Sequence, residues 1–223
     1  MRYRVLLTDV GNVIAPFFLD RFTRNLSQMT GLQEAEVDSR LYHEMAGERI
    51  VKSGGLLGIH RGILTGEVTP DRFFAEVQDR LECSMHRAQF WYAFRDVFDP
   101  NRRLVALWNS LRNNRKVERI ILVSDADPRR LTRALSITYF EPNAIAVSYE
   151  VGQLKPHPDM YRRALELAGV PPQECLFVDD VLENVQAARE FGIESFHYQY
   201  PKVGLEEATD ILANEFRHIG LLD

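Results

Sequence analysis

The chain has 223 residues, of which 45% are hydrophobic and 26% are charged, a composition typical of a soluble globular protein that can bury a core. Its formal net charge of −5 argues against broad electrostatic attraction to nucleic acid or to an anionic membrane. No apolar stretch approaches the roughly 20 residues of a membrane-spanning helix, and the N-terminal segment does not resemble a signal peptide, so we expect a cytoplasmic protein.

Five short apolar runs, each bounded by turn or polar residues, predict buried β-strands. Helical patterns separate most of them, and this alternation predicts an α/β fold: a Rossmann-like, five-stranded parallel sheet with helices on both faces. The predicted strands are Val5–Thr8, Ile120–Val123, Ala144–Val147, Cys175–Val178 and Ile193–His197. The predicted helices are Asn101–Arg112, Pro128–Leu135, Pro158–Leu167, Leu182–Phe191 and Leu205–Arg217.

The segment from about Phe18 to Phe98 breaks this alternation, because it contains no convincing strand. Helical patterns occur instead, and Thr69 followed by Pro70 is a credible helix start. We therefore predict an α-helical cap, residues 17–98, inserted after the first strand of a core made of residues 1–16 and 99–223. The helices predicted within the cap cover residues 19–30, 34–46, 70–82 and 87–95.

Several other residues receive structural interpretations. His43 and His60 lack a partner at metal-ligand spacing, so we expect surface or core histidines. The aromatic run Phe90–Phe94 predicts packing of the cap against the core. Cys83 and Cys175 are far apart and have no CxxC spacing, so we expect two buried thiols and no zinc site.

Polar residues directly after the first two strands are candidate functional residues, because ligands bind at the carboxyl ends of parallel strands. Asp9 ends the first strand, where a carboxylate could attack phosphorus, and Gly11 follows in a turn. Ser124 follows the second strand. Neither motif is specific alone: a strand-ending aspartate is common, and Ser124 could instead cap the helix that begins after Asp127.

Two later motifs are more informative. Lys155 lies in the segment Gly152–Pro158, and the proline after it keeps the lysine extended and outside the following helix. Asp179 and Asp180 follow the fourth strand, where adjacent carboxylates would repel each other and lose solvation unless a cation offsets the cost. The alternative interpretations are a solvated lysine and an exposed acidic helix N-terminus, which the helix dipole would favour.

Together the four motifs resemble those of the haloacid dehalogenase-like superfamily, in the family's order and each at a strand end. The predicted helical insert lies where that family often carries its cap. The first motif, Asp9-Val10-Gly11-Asn12, resembles the Asp-x-Gly-Asn branch of small sugar-phosphate phosphatases. The resemblance implies a phosphatase that hydrolyses a small phosphorylated metabolite, such as a sugar phosphate, through an aspartyl-phosphate intermediate.

The resemblance also implies a role for the polar residues of these motifs. Asp9 would be the nucleophile, and Ser124 with Lys155 would stabilise the transferring phosphoryl group. The residues that would contact the substrate phosphate are Gly11, Asn12, Ser124, Asp125 and Lys155.

A magnesium ion is the cofactor that the resemblance implies. Mg²⁺ prefers oxygen ligands and takes only one or two carboxylates in most proteins. Asp9, the backbone carbonyl of Gly11, and Asp179 or Asp180 would supply those oxygens. Asn184 lies about one turn later, at the start of the next predicted helix, and would brace the metal-binding loop.

The chain departs from the family pattern in two places. Gly11 stands where the usual phosphatase motif has a second aspartate, which acts as general acid and base and contributes about 10²–10⁴-fold in rate. The enzyme would then be slow, or would borrow a proton donor from the cap or substrate. Asparagine commonly follows the serine in this branch, whereas this chain has Asp125 and then Asp127. Asp125 could point away from the phosphate or serve as an unusual acid.

Two alternative functions remain. A carbon–halogen hydrolase would use an aspartate nucleophile without metal, but Gly11 and the pair Asp179–Asp180 argue against it. A binding or regulatory protein on a degenerate hydrolase scaffold is supported by Gly11 and Asp125. We expect a small phosphorylated substrate and no nucleic-acid or membrane partner; the sequence indicates neither the exact substrate nor the oligomeric state.

Overall fold

A computed structural model describes residues 3–42 and 59–223 of the chain. Five parallel strands form one sheet in the order β3-β2-β1-β4-β5. All five predicted strands are confirmed, and no strand end differs from its prediction by more than one residue. The strands are β1 (Val5–Thr8), β2 (Arg119–Ser124), β3 (Ala144–Val147), β4 (Cys175–Asp179) and β5 (Glu194–His197).

Helices fill the insert between β1 and β2 within the described residues. They are α1 (Leu19–Thr30), α2 (Glu34–Tyr42), α3 (Ile59–Thr65), α4 (Pro70–Leu81) and α5 (Arg87–Arg95). Thr69 caps α4 as predicted, its side chain accepting a hydrogen bond from the backbone N–H of Arg72 at 3.3 Å. The helix predicted for residues 34–46 is described only as far as Tyr42, and His43 lies outside the described residues.

Helix α3 is absent from the sequence-based prediction. Gly62 lies in the middle of this short helix, and glycine costs about 1 kcal/mol relative to alanine inside a helix. In the structure a Cβ at position 62 would lie 2.3 Å from a methyl group of Val68. The close packing that requires glycine is therefore tertiary, and local propensity gives no sign of it.

The remaining helices follow the predicted alternation with the strands. They are α6 (Arg102–Asn113), α7 (Pro128–Thr138), α8 (Ser148–Val151), α9 (Pro158–Ala168), α10 (Leu182–Glu190), α11 (Tyr200–Val203) and α12 (Leu205–His218). The two short helices α8 and α11, each of four residues, are too short to give a clear periodic pattern.

Helices cover both faces of the sheet, which explains why its strands read as continuous apolar runs. Successive residues of a strand point to opposite faces, so Leu6 of β1 lies in one buried cluster while its neighbours Val5 and Leu7 lie in another. Trp108 of α6 packs in the first cluster, and Met160 of α9 packs in the second. This packing fixes the register of β1 and so the position of the residue that follows it.

The strand order creates a crevice next to the central strand. From β1 the chain adds β2 and β3 on one side, and then crosses to add β4 and β5 on the other. Ligands of open parallel sheets bind at the carboxyl ends of the strands where the order reverses in this way. Here that point lies between β1 and β4, where Thr8 is paired with Val178, so Asp9 and Asp179 lie side by side.

The cysteine prediction is only half right. Both cysteines are free, but Cys175 is buried and Cys83 is only partly buried. Within residues 3–42 and 59–223, no helix combines the length and the apolar character that crossing a membrane requires.

Candidate active site

Three carboxylates from β1 and β4 gather at the carboxyl edge of the sheet. One oxygen atom from each of Asp9, Asp179 and Asp180 lies within 4.8 Å of the others. The ladder between the strands continues to this point, since the backbone N–H of Asp9 donates to the carbonyl of Val178 at 2.9 Å. Asp179 is fully buried and Asp9 is only 7% exposed, so their mutual repulsion is poorly screened by water.

Lys155 partly neutralises this cluster. Its Nζ lies 2.9 Å from Oδ1 of Asp9 and 2.6 Å from Oδ2 of Asp179, and its side chain is 1% exposed. Burial alone would lower the pKa of Lys155, but the charges of Asp179, Asp9 and Asp125 outweigh burial and raise it well above its usual value. One ammonium group therefore faces several carboxylates, and the site keeps an excess of negative charge.

Burial and the excess negative charge raise the pKa values of Asp9 and Asp180. Burial, with repulsion from Asp179 and Asp180, raises the pKa of Asp9 well above its usual value although Lys155 opposes the shift. Burial and the charge of Asp179 raise the pKa of Asp180 to about 7. A cation bound at these carboxyl groups would compete with protons for the same oxygen atoms.

Asp179 is held by hydrogen bonds from the start of α10. Its Oδ1 accepts from the backbone N–H of Val181 at 2.8 Å and from Nδ2 of Asn184 at 3.0 Å. The backbone carbonyl of Asn184 accepts in turn from the buried hydroxyl of Tyr161 at 2.9 Å. The position of Asn184 therefore agrees with its predicted role in bracing this loop.

Asn12 joins the loops that follow β1 and β4. Its Nδ2 donates to Oδ2 of Asp180 and its Oδ1 accepts from the backbone N–H of Phe17, both at 3.0 Å. The backbone of Asn12 is left-handed, with φ of 54°, a region that asparagine tolerates better than most residues. The side chain that we expected at the phosphate thus has two protein partners, and its contact with phosphate stays a prediction.

The loop after β2 approaches the same site from the other side. Oδ1 of Asp125 accepts a hydrogen bond from the backbone N–H of Lys155 at 2.9 Å. Burial raises the pKa of Asp125 to about 6, although Lys155 opposes the shift. Ser124, just before it, is buried at the end of β2. The helix-cap interpretation of Ser124 is wrong, because Asp127 caps α7.

Sequence reasoning missed one group at this edge. The Nε2 atom of His197 lies 2.9 Å from the backbone carbonyl of Asp180 and so supports the same loop. His197 is the last residue of β5, and the rule that directed attention to the ends of the other strands would have identified it. The structure thus brings Asp9, Lys155, Asp179 and Asp180 into one cluster, with Asp125, Asn12, Asn184 and His197 at its margin.

Two comparisons of the sequence with known proteins bear on this site. A family model described as haloacid dehalogenase-like hydrolase matches residues 31–192. A D-ribitol-5-phosphate phosphatase from Bacteroides thetaiotaomicron is 25% identical over 218 residues, a match that covers 93% of this chain and 97% of the relative.

Solved structures share the fold. A HAD family enzyme from Bacteroides thetaiotaomicron, crystallised with magnesium and inorganic phosphate, superposes with a TM-score of 0.68 at 20% identity, covering 87% of this chain and 93% of that one. An L-2-haloacid dehalogenase from Xanthobacter autotrophicus gives 0.56 at 15% identity, covering 87% and 77%. Since a dehalogenase shares this architecture, the fold alone does not decide the reaction, and the site must decide it.

Proposed function

Because the chain belongs to the haloacid dehalogenase-like hydrolase family, we propose that it is a magnesium-dependent phosphatase that acts on a small phosphorylated metabolite. The single observation that carries the proposal is the cluster in which Lys155 contacts both Asp9 and Asp179 beside Asp180. A metal-free carbon–halogen hydrolase has no use for so many buried carboxylates. A phosphatase needs them to hold a cation beside its nucleophile.

The chemistry of the donor set fits Mg²⁺. The three groups within 4.8 Å of one another all offer carboxylate oxygens, the ligand type that Mg²⁺ prefers. Burial, together with repulsion between the carboxylates, raises the pKa values of Asp9 and Asp180 although Lys155 opposes both shifts, which supports a further cation at this cluster. Asp9, Asp179 and Asp180, with the backbone carbonyl of Gly11, would hold the ion, which when bound would neutralise charge on the phosphoryl oxygens.

Three residues of the chain have separate roles in the proposed reaction. Asp9 attacks the phosphorus atom through a carboxylate oxygen and forms an aspartyl-phosphate, which water then hydrolyses. Lys155, fixed against Asp9, supplies positive charge for the oxygens of the transferring phosphoryl group. The hydroxyl group of Ser124 donates to the same oxygens from the end of the neighbouring strand β2.

The insert between β1 and β2 would act as the cap, with residues 17–98 forming one unit and residues 1–16 and 99–223 the core. Two contacts fasten it near the site. Nε of Arg130 in α7 donates to the carbonyl of Phe94 in α5 at 3.1 Å, and Oγ of Ser148 in α8 donates to the carbonyl of Leu64 in α3 at 2.8 Å. Helices α7 and α8 follow the carboxyl ends of β2 and β3, which supports a role for the insert in excluding water from the reaction.

The identity of the curated relative supports a polyol or sugar phosphate as the substrate. That relative is a D-ribitol-5-phosphate phosphatase, and the match covers nearly the whole of both chains. An uncharged, hydroxyl-rich body with one phosphate also suits a site whose own negative charge would disfavour further anionic groups on the substrate. D-ribitol 5-phosphate is therefore the first substrate to test.

Replacing the nucleophile tests the proposal. In Asp9→Asn, turnover of D-ribitol 5-phosphate and of p-nitrophenyl phosphate with Mg²⁺ should fall by at least about 10⁴-fold, as loss of a covalent nucleophile does elsewhere. Asp20→Asn makes the same chemical change at an exposed position of α1 and should leave turnover unchanged. Excess EDTA should abolish wild-type activity, and added Mg²⁺ should restore it.

Three results would contradict the proposal. The first is phosphate release that persists in Asp9→Asn, and the second is phosphate release that is insensitive to chelation. The third is release of halide from a 2-haloacid in the absence of metal, which would identify a dehalogenase instead.

A further inference from the structure

The first motif lacks the residue that would act as general acid and base in the proposed reaction. Gly11 has no side chain, so nothing at that position can protonate the leaving group. The adjacent strand β2 offers a carboxyl group just beyond its own end. Thr8 of β1 is paired with Leu122 of β2, and Gly11 and Asp125 are each the third residue beyond that pair. Both residues therefore follow neighbouring, hydrogen-bonded strands at the carboxyl edge of the sheet.

We propose that Asp125 is the general acid and base of this enzyme and replaces the missing aspartate from the neighbouring strand end. The inference rests on the phosphatase function proposed above. It assigns a catalytic role to the residue at which the second motif departs from its family pattern.

The contacts of Asp125 leave one oxygen atom available. Oδ1 accepts the backbone N–H of Lys155, the residue whose Nζ contacts Asp9. The carboxyl group is therefore fixed relative to the nucleophile through a single residue. Among the described residues, Oδ2 has no hydrogen-bond partner, and the residue as a whole is only partly buried. Oδ2 can therefore meet a substrate.

The charge of the substrate favours the acid form of this carboxyl group. An ionised Asp125 would repel a phosphate dianion, whereas a protonated Asp125 can donate a hydrogen bond to it. Burial already raises the pKa of Asp125 to about 6, and an approaching dianion would raise that pKa further. A protonated group beside the leaving oxygen is the requirement for a general acid.

Neighbouring polar groups are already committed to other contacts. Oδ1 of Asp127 accepts the backbone N–H groups of Arg129 and Arg130 at the start of α7. Its Oδ2 has no hydrogen-bond partner among the described residues, but Asp127 is only 1% exposed, so a substrate does not reach it. Oδ2 of Asp180 accepts from Asn12, and Nε2 of His197 lies against the backbone carbonyl of Asp180. Asp125 is the carboxyl group beside Lys155 that is neither a helix cap nor part of the three-carboxylate cluster.

The two chemical steps balance with Asp125 as the proton carrier. In the first step, an Asp9 oxygen bonds to phosphorus, the bond from phosphorus to the leaving oxygen breaks, and Asp125 gives its proton to that oxygen. In the second step, Asp125 as carboxylate takes a proton from water, whose oxygen bonds to phosphorus while the bond to Asp9 breaks. The products are an alcohol and inorganic phosphate, and both aspartates return to their starting states.

Leaving-group dependence in Asp125→Asn tests this assignment. Asparagine keeps an oxygen for the N–H of Lys155 but cannot transfer a proton. With D-ribitol 5-phosphate, whose alkoxide needs a proton to leave, turnover should fall by about 10²-fold or more. With p-nitrophenyl phosphate, whose phenolate leaves unprotonated, the first burst of nitrophenolate should stay within about threefold of the wild-type rate. Later turnovers should be slow, because water is no longer deprotonated.

A matched substitution separates this effect from a general disturbance of the loop. Asp127→Asn makes the same change two residues away and preserves the helix cap, since asparagine caps as well as aspartate. It should affect both substrates equally. In Asp125→Asn, an equal loss in the D-ribitol 5-phosphate rate and in the nitrophenolate burst rate would overturn the assignment, as would a loss below threefold with D-ribitol 5-phosphate. A wild-type protein that hydrolyses neither substrate would instead overturn the proposed function.

Discussion

Two cations are buried among the described residues, Lys155 beside the sheet and Arg130 beneath the insert, and their surroundings are opposite in charge. Lys155 contacts two carboxylates directly and has a third beside its backbone N–H. Arg130, 3% exposed, has one backbone carbonyl as a side-chain partner, that of Phe94. Its guanidinium group otherwise lies over aromatic rings, 3.9 Å from the ring centre of Phe94 and 5.4 Å from that of Phe17.

The difference separates a site built for chemistry from a site built for packing. Around Lys155 negative charge is in excess, and the pKa values of Asp9, Asp125 and Asp180 are raised, so the region could hold a metal ion. Around Arg130 the positive charge is under-compensated, and burial lowers its pKa although Asp127 and Tyr42 oppose the shift. Within the described part of the chain, Nη2 of Arg130 has no hydrogen-bond partner. Arg130 therefore fastens α5 to α7.

Among substitutions of the two buried cations, Lys155→Met should cause the larger loss of both activity and stability. It removes the charge that faces the phosphoryl oxygens, and we expect kcat/KM for D-ribitol 5-phosphate to fall by about 10²–10³-fold. It also leaves Asp9 and Asp179 buried without a counter-charge, which should cost about 3–5 kcal/mol of unfolding free energy. Steady-state kinetics and urea unfolding measure the two effects.

Lys116→Met provides the matched control. Lys116 pairs with Asp223 at the surface, and loss of such a pair should cost less than about 1 kcal/mol and leave turnover unchanged. If Lys155→Met kept full activity, Lys155 would be a purely structural residue and the contrast with Arg130 would fail.

Magnesium should stabilise the Lys155 region in a pH-dependent manner. The pKa of Asp180 in the folded protein, about 7, lies above its ordinary value of 3.8, so without metal this group costs stability increasingly as pH rises from about 4 to 7. A metal ion relieves that cost above pH 7 but must displace protons below it. The rise in Tm on adding saturating Mg²⁺ should therefore be larger at pH 8 than at pH 6; metal at 100 times its Kd adds about 2.7 kcal/mol.

Asp180→Asn should reduce both the rise in Tm and its pH dependence. Equal rises at pH 6 and pH 8 in the wild-type protein would show that protons and metal do not compete at this cluster. The region around Lys155 would then not carry an excess of negative charge.

Arg130→Met should give the reverse of the Lys155 result: a loss of stability with little loss of chemistry. Removing the guanidinium group orphans the carbonyl of Phe94, at a cost of about 1–3 kcal/mol, and loses a cation–π contact of about 2 kcal/mol. Part of this lost stability is regained, because the substitution also removes a buried charge whose Nη2 has no hydrogen-bond partner among the described residues. We expect a net loss of about 1–2 kcal/mol in urea unfolding, with turnover of p-nitrophenyl phosphate within about threefold of wild type. A tenfold loss of turnover without loss of stability would place Arg130 in the site.

The two regions also differ in how far the sequence predicts them. The Lys155 site follows from local signals. Asp9, Asp179 and Asp180 lie at the ends of apolar runs, and strand ends meet at one edge of a sheet. Lys155 lies beyond α8 and is indicated by its own segment, Gly152–Pro158. The contact between Asp125 and the N–H of Lys155 joins positions 30 residues apart, so the sequence left its orientation open. The burial of Arg130 is still harder to predict, because an arginine in the first turn of α7 has the pattern of an exposed residue.

The packing around Arg130 contains the buried His60, which gives the smallest expected effect at neutral pH. His60 is 2% exposed, stacks on Tyr42 with 5.4 Å between ring centres, and meets the ring of Phe73 at 5.2 Å. Its Nε2 lacks a hydrogen-bond partner among the described residues. Burial, with the charges of Arg130 and Arg80, lowers its pKa to about 3, so the ring is neutral when folded and fits the core interpretation.

His60→Phe should be nearly neutral at pH 7.5 and stabilising in acid. An unfolded histidine takes up a proton below about pH 6.5, whereas the folded one does not until about pH 3, so acid favours unfolding of the wild type throughout that window. By pH 5 the wild type should have lost about 2 kcal/mol through this group, a loss that the phenylalanine variant avoids. Urea unfolding at pH 7.5 and pH 5 measures the difference. An identical pH dependence in both proteins would mean that His60 is charged when folded and has an unseen acidic partner, and the aromatic surroundings of Arg130 would then be less apolar than the structure indicates.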